Sequence, residues 1–352
     1  MLHVVLLLGC AVVIYLACEW FVNAVEWLGV QLKFGPIAVG TILAAAGTAL
    51  PESVVTLVAV LFGSKEHGSD IGVGAAMGGP LVVGTIAYGV TGAMILWRYR
   101  TKRVKALATV GGGDLAQSTE EGDGAAPGLD TVDTRRLARD QSWFLAIFVV
   151  KVALGLVAFA VKPWLGLLFF LAYAVYFWHE TRSGDEQASG DDLEPLKIQP
   201  RRTVPTKLAV WTQTLLALAV VFAASQLFVA QLEWAGPALG LPSVVVALLL
   251  SPIATELPEV MNAIIWVRQG KTQLAVANIS GAMMIQATVP SGLGLLFTPW
   301  HFTTAPLLAG IATIASVAYL LWVMRSGRIT GGRLLAAGGF YLAFAAGLVL
   351  TL

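Results

Sequence analysis

Apolar runs long enough to cross a bilayer recur from one end of this chain to the other, and that repetition leaves few folds open. Backbone groups in hydrocarbon meet no water, so each crossing must satisfy its own hydrogen bonds. A helix does this with about 20 residues across a core about 30 Å thick. Runs of this kind lie near 2–32, 36–62, 71–97, 142–161, 163–180, 207–234, 242–267, 272–297, 303–324 and 332–351. Only 12% of the 352 residues are charged, against roughly 25% in soluble domains. The formal net charge of +1 offers no basic surface for nucleic acid. The expectation is an all-α membrane protein with ten transmembrane helices and the lipid bilayer as its surroundings.

The placement of cations supports that count. With the first residue outside, the inner connections hold all of the 22 Lys and Arg except Lys65 and Lys162, which fall outside, and Lys151, which falls within a span. This positive-inside bias orients the chain in the cell membrane with its N-terminus outside. The first apolar run is too long for a cleaved signal and lacks a basic start, so it counts as the first span. Cys10 and Cys18 sit eight apart on one expected helix and cannot bridge each other. Two polar connections, 106–141 and 181–206, are rich in Gly, Ala and acidic residues and are expected to be flexible cytosolic segments.

An internal repeat runs through the spans. Residues 21–52 lie over 228–259 without a gap, matching Phe21 with Phe228, Glu26-Trp27 with Glu233-Trp234, Thr48 with Thr255, and Leu50-Pro51-Glu52 with Leu257-Pro258-Glu259. An odd number of crossings separates equivalent positions, so the two copies point in opposite directions. Two inverted five-helix repeats follow, 1–180 and 207–352, joined by the cytosolic connection 181–206. Such plans place a site near mid-membrane, at interrupted helices.

Each Thr-x-Leu-Pro-Glu run carries a proline that removes a backbone donor, so each is expected to kink or break its helix and free carbonyls inside the membrane. Thr48 and Glu52, like Thr255 and Glu259, are four apart on one helical face. Two such breaks meeting head to head make an all-oxygen cage with at least two negative charges, suited to a hard cation such as Ca²⁺. An intramembrane carboxylate costs several kcal/mol unless compensated, and this one occurs twice at matched positions.

At these residues the sequence resembles the calcium/cation antiporter superfamily, the sodium/calcium exchangers and their relatives. Its G-T-S-x-P-E type run is similar to Gly47-Thr48-Ala49-Leu50-Pro51-Glu52 and to Ala254-Thr255-Glu256-Leu257-Pro258-Glu259. A G-N-x-x-G-S-N type run resembles DIGVGAAMGGP (70–80) and LAVANISGAMMIQ (274–286). The resemblance implies electrogenic or proton-coupled antiport, with Glu52 and Glu259 as principal ligands of Ca²⁺ and of the exchanged ion. Thr48 and Thr255 would add oxygens, and Asn278 and Glu256 would tune selectivity.

The departures fall mostly in the first repeat. The usual Asn of the second run is Ala75, or Ile71 in the gapless register, and Pro80 follows it. The Ser beside the first Thr is Ala49 in one copy and Glu256 in the other. Glu256 and Glu259, three apart, would repel if both point inward, making occupancy sensitive to protons. The blander readings are a structural carboxylate pair, a Glu256 turned toward a helix interface, and amides at Asn278 and Gln286 that tie helices together.

The four histidines lie near span ends without metal-ligand spacing, and no Ser-His-Asp set, phosphate loop or H-E-x-x-H run occurs. No enzymatic activity and no cofactor are expected; Ca²⁺, Na⁺ and H⁺ enter as substrates, and inorganic cations are the expected partners. The leading expectation is exchange of Ca²⁺ for Na⁺ or H⁺ by alternating access. The alternatives are a proton-driven exchanger of Na⁺ or another metal, and a non-transporting scaffold or sensor that keeps the fold.

Overall fold

The computed structural model describes residues 2–31, 44–109, 133–182, 193–270 and 272–352. Among them every regular element is helical: α1 (Leu2–Gln31), α2 (Ala44–Phe62), α3 (Gly68–Val82), α4 (Tyr88–Thr109), α5 (Thr134–Leu156), α6 (Gly166–Arg182), α7 (Lys207–Leu239), α8 (Ser243–Thr255), α9 (Leu257–Gln269), α10 (Thr272–Phe297), α11 (Thr304–Arg325) and α12 (Gly331–Thr351). A π turn, Val83–Ala87, joins α3 to α4, and a 3₁₀ turn, Lys162–Leu165, precedes α6. Seven stretches among the described residues are long and apolar enough to cross a membrane: α1, Gly68–Thr101, α7, Ser243–Gln269, α10, α11 and α12. The count of ten requires α2, α5 and α6 as crossings too. The start of the second expected span, 36–43, lies outside the described residues.

Helices that the repeat makes equivalent pack in matched sets. α3 packs on α8 as α10 packs on α2; α10 meets α6 as α4 meets α12; α2 meets α7 as α1 meets α8. The equivalent helices α1 and α7 lie along each other and run antiparallel. At one end His3 Nδ1 lies 2.8 Å from Gln231 Oε1, and at the other Gln213 Nε2 donates to the Trp20 carbonyl at 2.9 Å. α3 and α10 form the enclosed centre. Rows of exposed apolar side chains lie instead on the periphery, as in Val5, Leu8, Val12 and Leu16 of α1 and Leu342, Val349 and Leu350 of α12.

Both polar connections differ from the expectation of flexibility where they are described. α4 continues to Thr109 and α5 begins at Thr134, so both ends of 106–141 are helical; residues 110–132 lie outside the described residues. Asp133 caps α5, its Oδ1 accepting from the Arg135 and Arg136 backbone N–H groups, both at 3.1 Å, and Leu137 is buried. In the second connection, Leu193–Ile198 is docked rather than loose. Trp27 Nε1 donates to the Glu194 carbonyl at 2.9 Å, Asn23 Oδ1 accepts from the Lys197 N–H at 3.0 Å, and Gln213 Oε1 accepts from the Ile198 N–H at 3.0 Å. Leu196 is fully buried among Ala24, Trp27, Ala209 and Val210. Trp27 is therefore an anchor for this strap and not a lipid-facing belt residue, whereas its counterpart Trp234 is partly exposed and stacks on His3 at 4.1 Å.

Candidate functional site

The two Leu-Pro-Glu runs fold differently. In the second half the helix breaks: α8 ends at Thr255, Glu256 stands between helices with φ −100° and ψ −3°, and α9 starts with Pro258 in its first turn. Pro258 cannot donate to the Ala254 carbonyl, and its ring disfavours a continuous helix through that turn. In the first half α2 runs on through Pro51 without a break. The expectation of two broken helices holds for one half only. Proline is tolerated inside α2 because neighbouring helices enclose it.

Glu52, Glu256 and Glu259 are all buried, at 0%, 1% and 0% exposure. Glu256 and Glu259 both lie close enough to Glu52 for their charges to act on it. No hydrogen-bond donor among the described residues reaches either Glu52 oxygen. Space for the Glu52 carboxyl is made by Gly79 on α3, where an added Cβ would overlap it. Glu256 is held by two donors: Thr255 Oγ1 at 2.8 Å and Gln286 Nε2 at 2.6 Å. Glu259, in the first turn of α9, lies at the positive end of that helix dipole.

Thr255 is bonded to Glu256, and Glu52 lies within the field of both Glu256 and Glu259. Thr48 lies on α2, and its side chain falls outside the described residues. Asn278 is 2% exposed, and neither its Oδ1 nor its Nδ2 has a hydrogen-bond partner among the described residues. Burying an amide with no partner costs about 1–3 kcal/mol, so a polar ligand that approaches it meets an unsatisfied group. Among the described residues no three His, Cys, Asp or Glu side chains converge as a ready-made metal cluster. The carboxylates are neighbours, but not a closed cage.

Five residues, Gly63–His67, separate α2 from α3, whereas α10 starts at Thr272, with only Gly270 and position 271 between it and the end of α9 at Gln269. The longer connection favours a register with an insertion in the first half over the gapless one that sets Ile71 opposite Asn278. Ala75 is buried in an apolar cluster with Cys18 and Phe228. Gly74 and Gly78 bring α3 against α8: a Cβ on Gly78 would stand 2.6 Å from the Leu248 carbonyl oxygen. Their role is close helix approach.

Sequence reasoning does not assign two of the residues found here to the site. Gln286 holds Glu256, and its position on the Asn278-bearing helix is the available signal. Lys151 on α5, placed within a span by the sequence, donates to the Ala76 carbonyl of α3 at 2.6 Å and lies within the field of Glu52. Nothing in the sequence pattern pairs it with α3.

Comparison with known proteins accords with this architecture. A family model described as sodium/calcium exchanger protein matches residues 2–181 and 209–349. The putative antiporter CaxA of Alkalimonas amylolytica is 28% identical over 171 residues, 47% of this chain and 50% of that protein, so the match spans about half its length. The H⁺/Ca²⁺ exchanger CAX superposes with a TM-score of 0.68 at 15% identity, covering 99% of this chain and 86% of that one. The sodium-calcium exchanger NCX_Mj superposes with a TM-score of 0.60 at 16% identity, covering 99% of both chains. At such identities the likeness of the two structures is one of fold. The family match extends over most of the chain, which therefore belongs to the sodium/calcium exchanger protein family.

Proposed function

We propose that this chain is a secondary active antiporter that exchanges Ca²⁺ for Na⁺ or H⁺ at a carboxylate site in mid-membrane. The observation that carries the reading is the burial of Glu52 from one half and of Glu256 and Glu259 from the other, close enough for the charges of the last two to act on the first. Glu52 and Glu259 bind the cation, Thr255 and Thr48 contribute oxygens, and Asn278 and Glu256 tune selectivity. A filled or protonated site is close to neutral and can move past an apolar barrier, whereas an empty charged site cannot. That difference couples the two fluxes. Alternating access follows from rocking of α1 and α7 against the helices that hold the carboxylates. The distribution of Lys and Arg supports a cell-membrane protein with its N-terminus outside. The two halves are proposed as 1–180 and 207–352, with 181–206 between them.

The test is uptake of labelled Ca²⁺ into proteoliposomes under an outward Na⁺ gradient, a pH gradient, or neither. Uptake driven by one gradient supports antiport and names the counter-ion. Equal uptake in all three conditions, or turnover that survives Glu52→Gln combined with Glu259→Gln, sinks it.

A further inference from the structure

Pro80 lies inside α3 and has no N–H, so the carbonyl four residues earlier, that of Ala76, loses its helical donor. A carbonyl freed in this way inside a membrane needs a donor or a cation. Lys151 supplies both: it is fully buried, and its Nζ stands 2.6 Å from the Ala76 oxygen. The ammonium also lies 5.0 Å from the centre of the Phe148 ring and 6.0 Å from that of Trp300, both within cation–π range. Trp300 is itself fixed, its Nε1 donating to the Lys151 carbonyl at 3.2 Å and its own carbonyl accepting from Lys162 Nζ at 3.1 Å.

Ala76 is one helical turn before Gly79, the residue against which the Glu52 carboxyl rests. The ammonium is thus held about one helical turn from that cradle, with no direct bond to either Glu52 oxygen among the described residues. In the second half Pro290 lies inside α10 in the same manner and deprives the Gln286 carbonyl of its donor.

We infer that Lys151 is a tethered cation which balances one of the three site carboxylates and so fixes the exchange at one divalent for two monovalent cations. This inference rests on the antiport reading. Three carboxylates and one ammonium leave two negative charges, which one Ca²⁺ or two monovalent ions neutralise. Neither loaded form then carries net charge across the barrier. Without the ammonium, three negative charges remain, and the monovalent-loaded form needs a third ion.

The experiment is Ca²⁺ flux in proteoliposomes at a membrane potential clamped with K⁺ and valinomycin, for the native protein, Lys151→Met and Lys151→Arg. The native flux is expected to be the same within about 20% at 0 and about −100 mV, since no net charge crosses. Lys151→Met should become potential-dependent, with a coupling ratio nearer three to one, and Lys151→Arg should remain insensitive. A native flux that responds steeply to potential overturns this inference and leaves antiport standing, and it decides the matter even if Lys151→Met does not fold. An unchanged coupling ratio in folded Lys151→Met also overturns it. Absence of gradient-driven flux in the native protein overturns the antiport reading and this inference with it.

Discussion

The two halves share a helical plan but treat their carboxylates in opposite ways. In the first half Glu52 has no amide or hydroxyl donor among the described residues, and it rests against a glycine near a buried ammonium. In the second half Glu256 joins Glu259 and is held by Thr255 and Gln286. One side manages negative charge with a counter-charge, the other with dipoles. Duplication kept the packing that positions the site, while the means of stabilising charge diverged.

That contrast can be broken at its cradle. Gly79→Ala places a methyl group where the Glu52 carboxyl lies, and is expected to lower Ca²⁺ flux by about 100-fold, the scale of a misplaced reacting group. A Gly79→Ala protein with native flux would show that Glu52 does not need this position. The next largest effect tests whether the halves can be made alike. Ala49 sits where the second half has Glu256, and it packs against Ala282 and Ile285. Ala49→Glu buries a carboxylate in an apolar cluster and should destabilise by about 3–5 kcal/mol, read as a lower thermal midpoint in detergent; an unshifted midpoint would mean that this side can also accept charge.

Removing a dipole should cost less. Gln286→Leu leaves Glu256 with one donor, a loss of about 1.5 kcal/mol, the lower end for a bond to a charged group, seen as roughly a 10-fold change in half-saturating Ca²⁺. If half-saturation does not move, Glu256 stands apart from binding. The smallest effect compares the paired tryptophans: Trp27→Phe removes a buried bond and should cost about 1 kcal/mol, whereas Trp234→Phe should change stability by less than about 0.5 kcal/mol. Equal shifts in the two thermal midpoints would deny that the halves differ at that position.

The helical class, the duplication and the acidic pair are legible in the sequence because they depend on local pattern: apolar length, a constant offset, and proline next to glutamate. The inversion is legible too, and the antiparallel contact of α1 with α7 agrees with it. The continuous helix through Pro51 is not, because whether proline breaks a helix depends on what packs around it. Lys151 escapes because its partner is a backbone carbonyl freed by a proline on another helix, an event with no side-chain signature. The start of α5 can be found, since Asp133 before Thr134-Arg135-Arg136 is a recognisable N-cap.

The docked segment Leu193–Ile198 has a mechanical consequence. Asn23 and Trp27 on α1 and Gln213 on α7 grip the same short stretch of chain, and Gln213 Nε2 also reaches Asn23 Oδ1 at 3.0 Å. Sliding one of these helices past the other at that end would tear several bonds together, whereas at the far end His3 is set against Gln231 and Trp234 beside apolar packing of α1 on α7. The knot makes that end the stiffer of the two, a fulcrum for any pivoting of the pair.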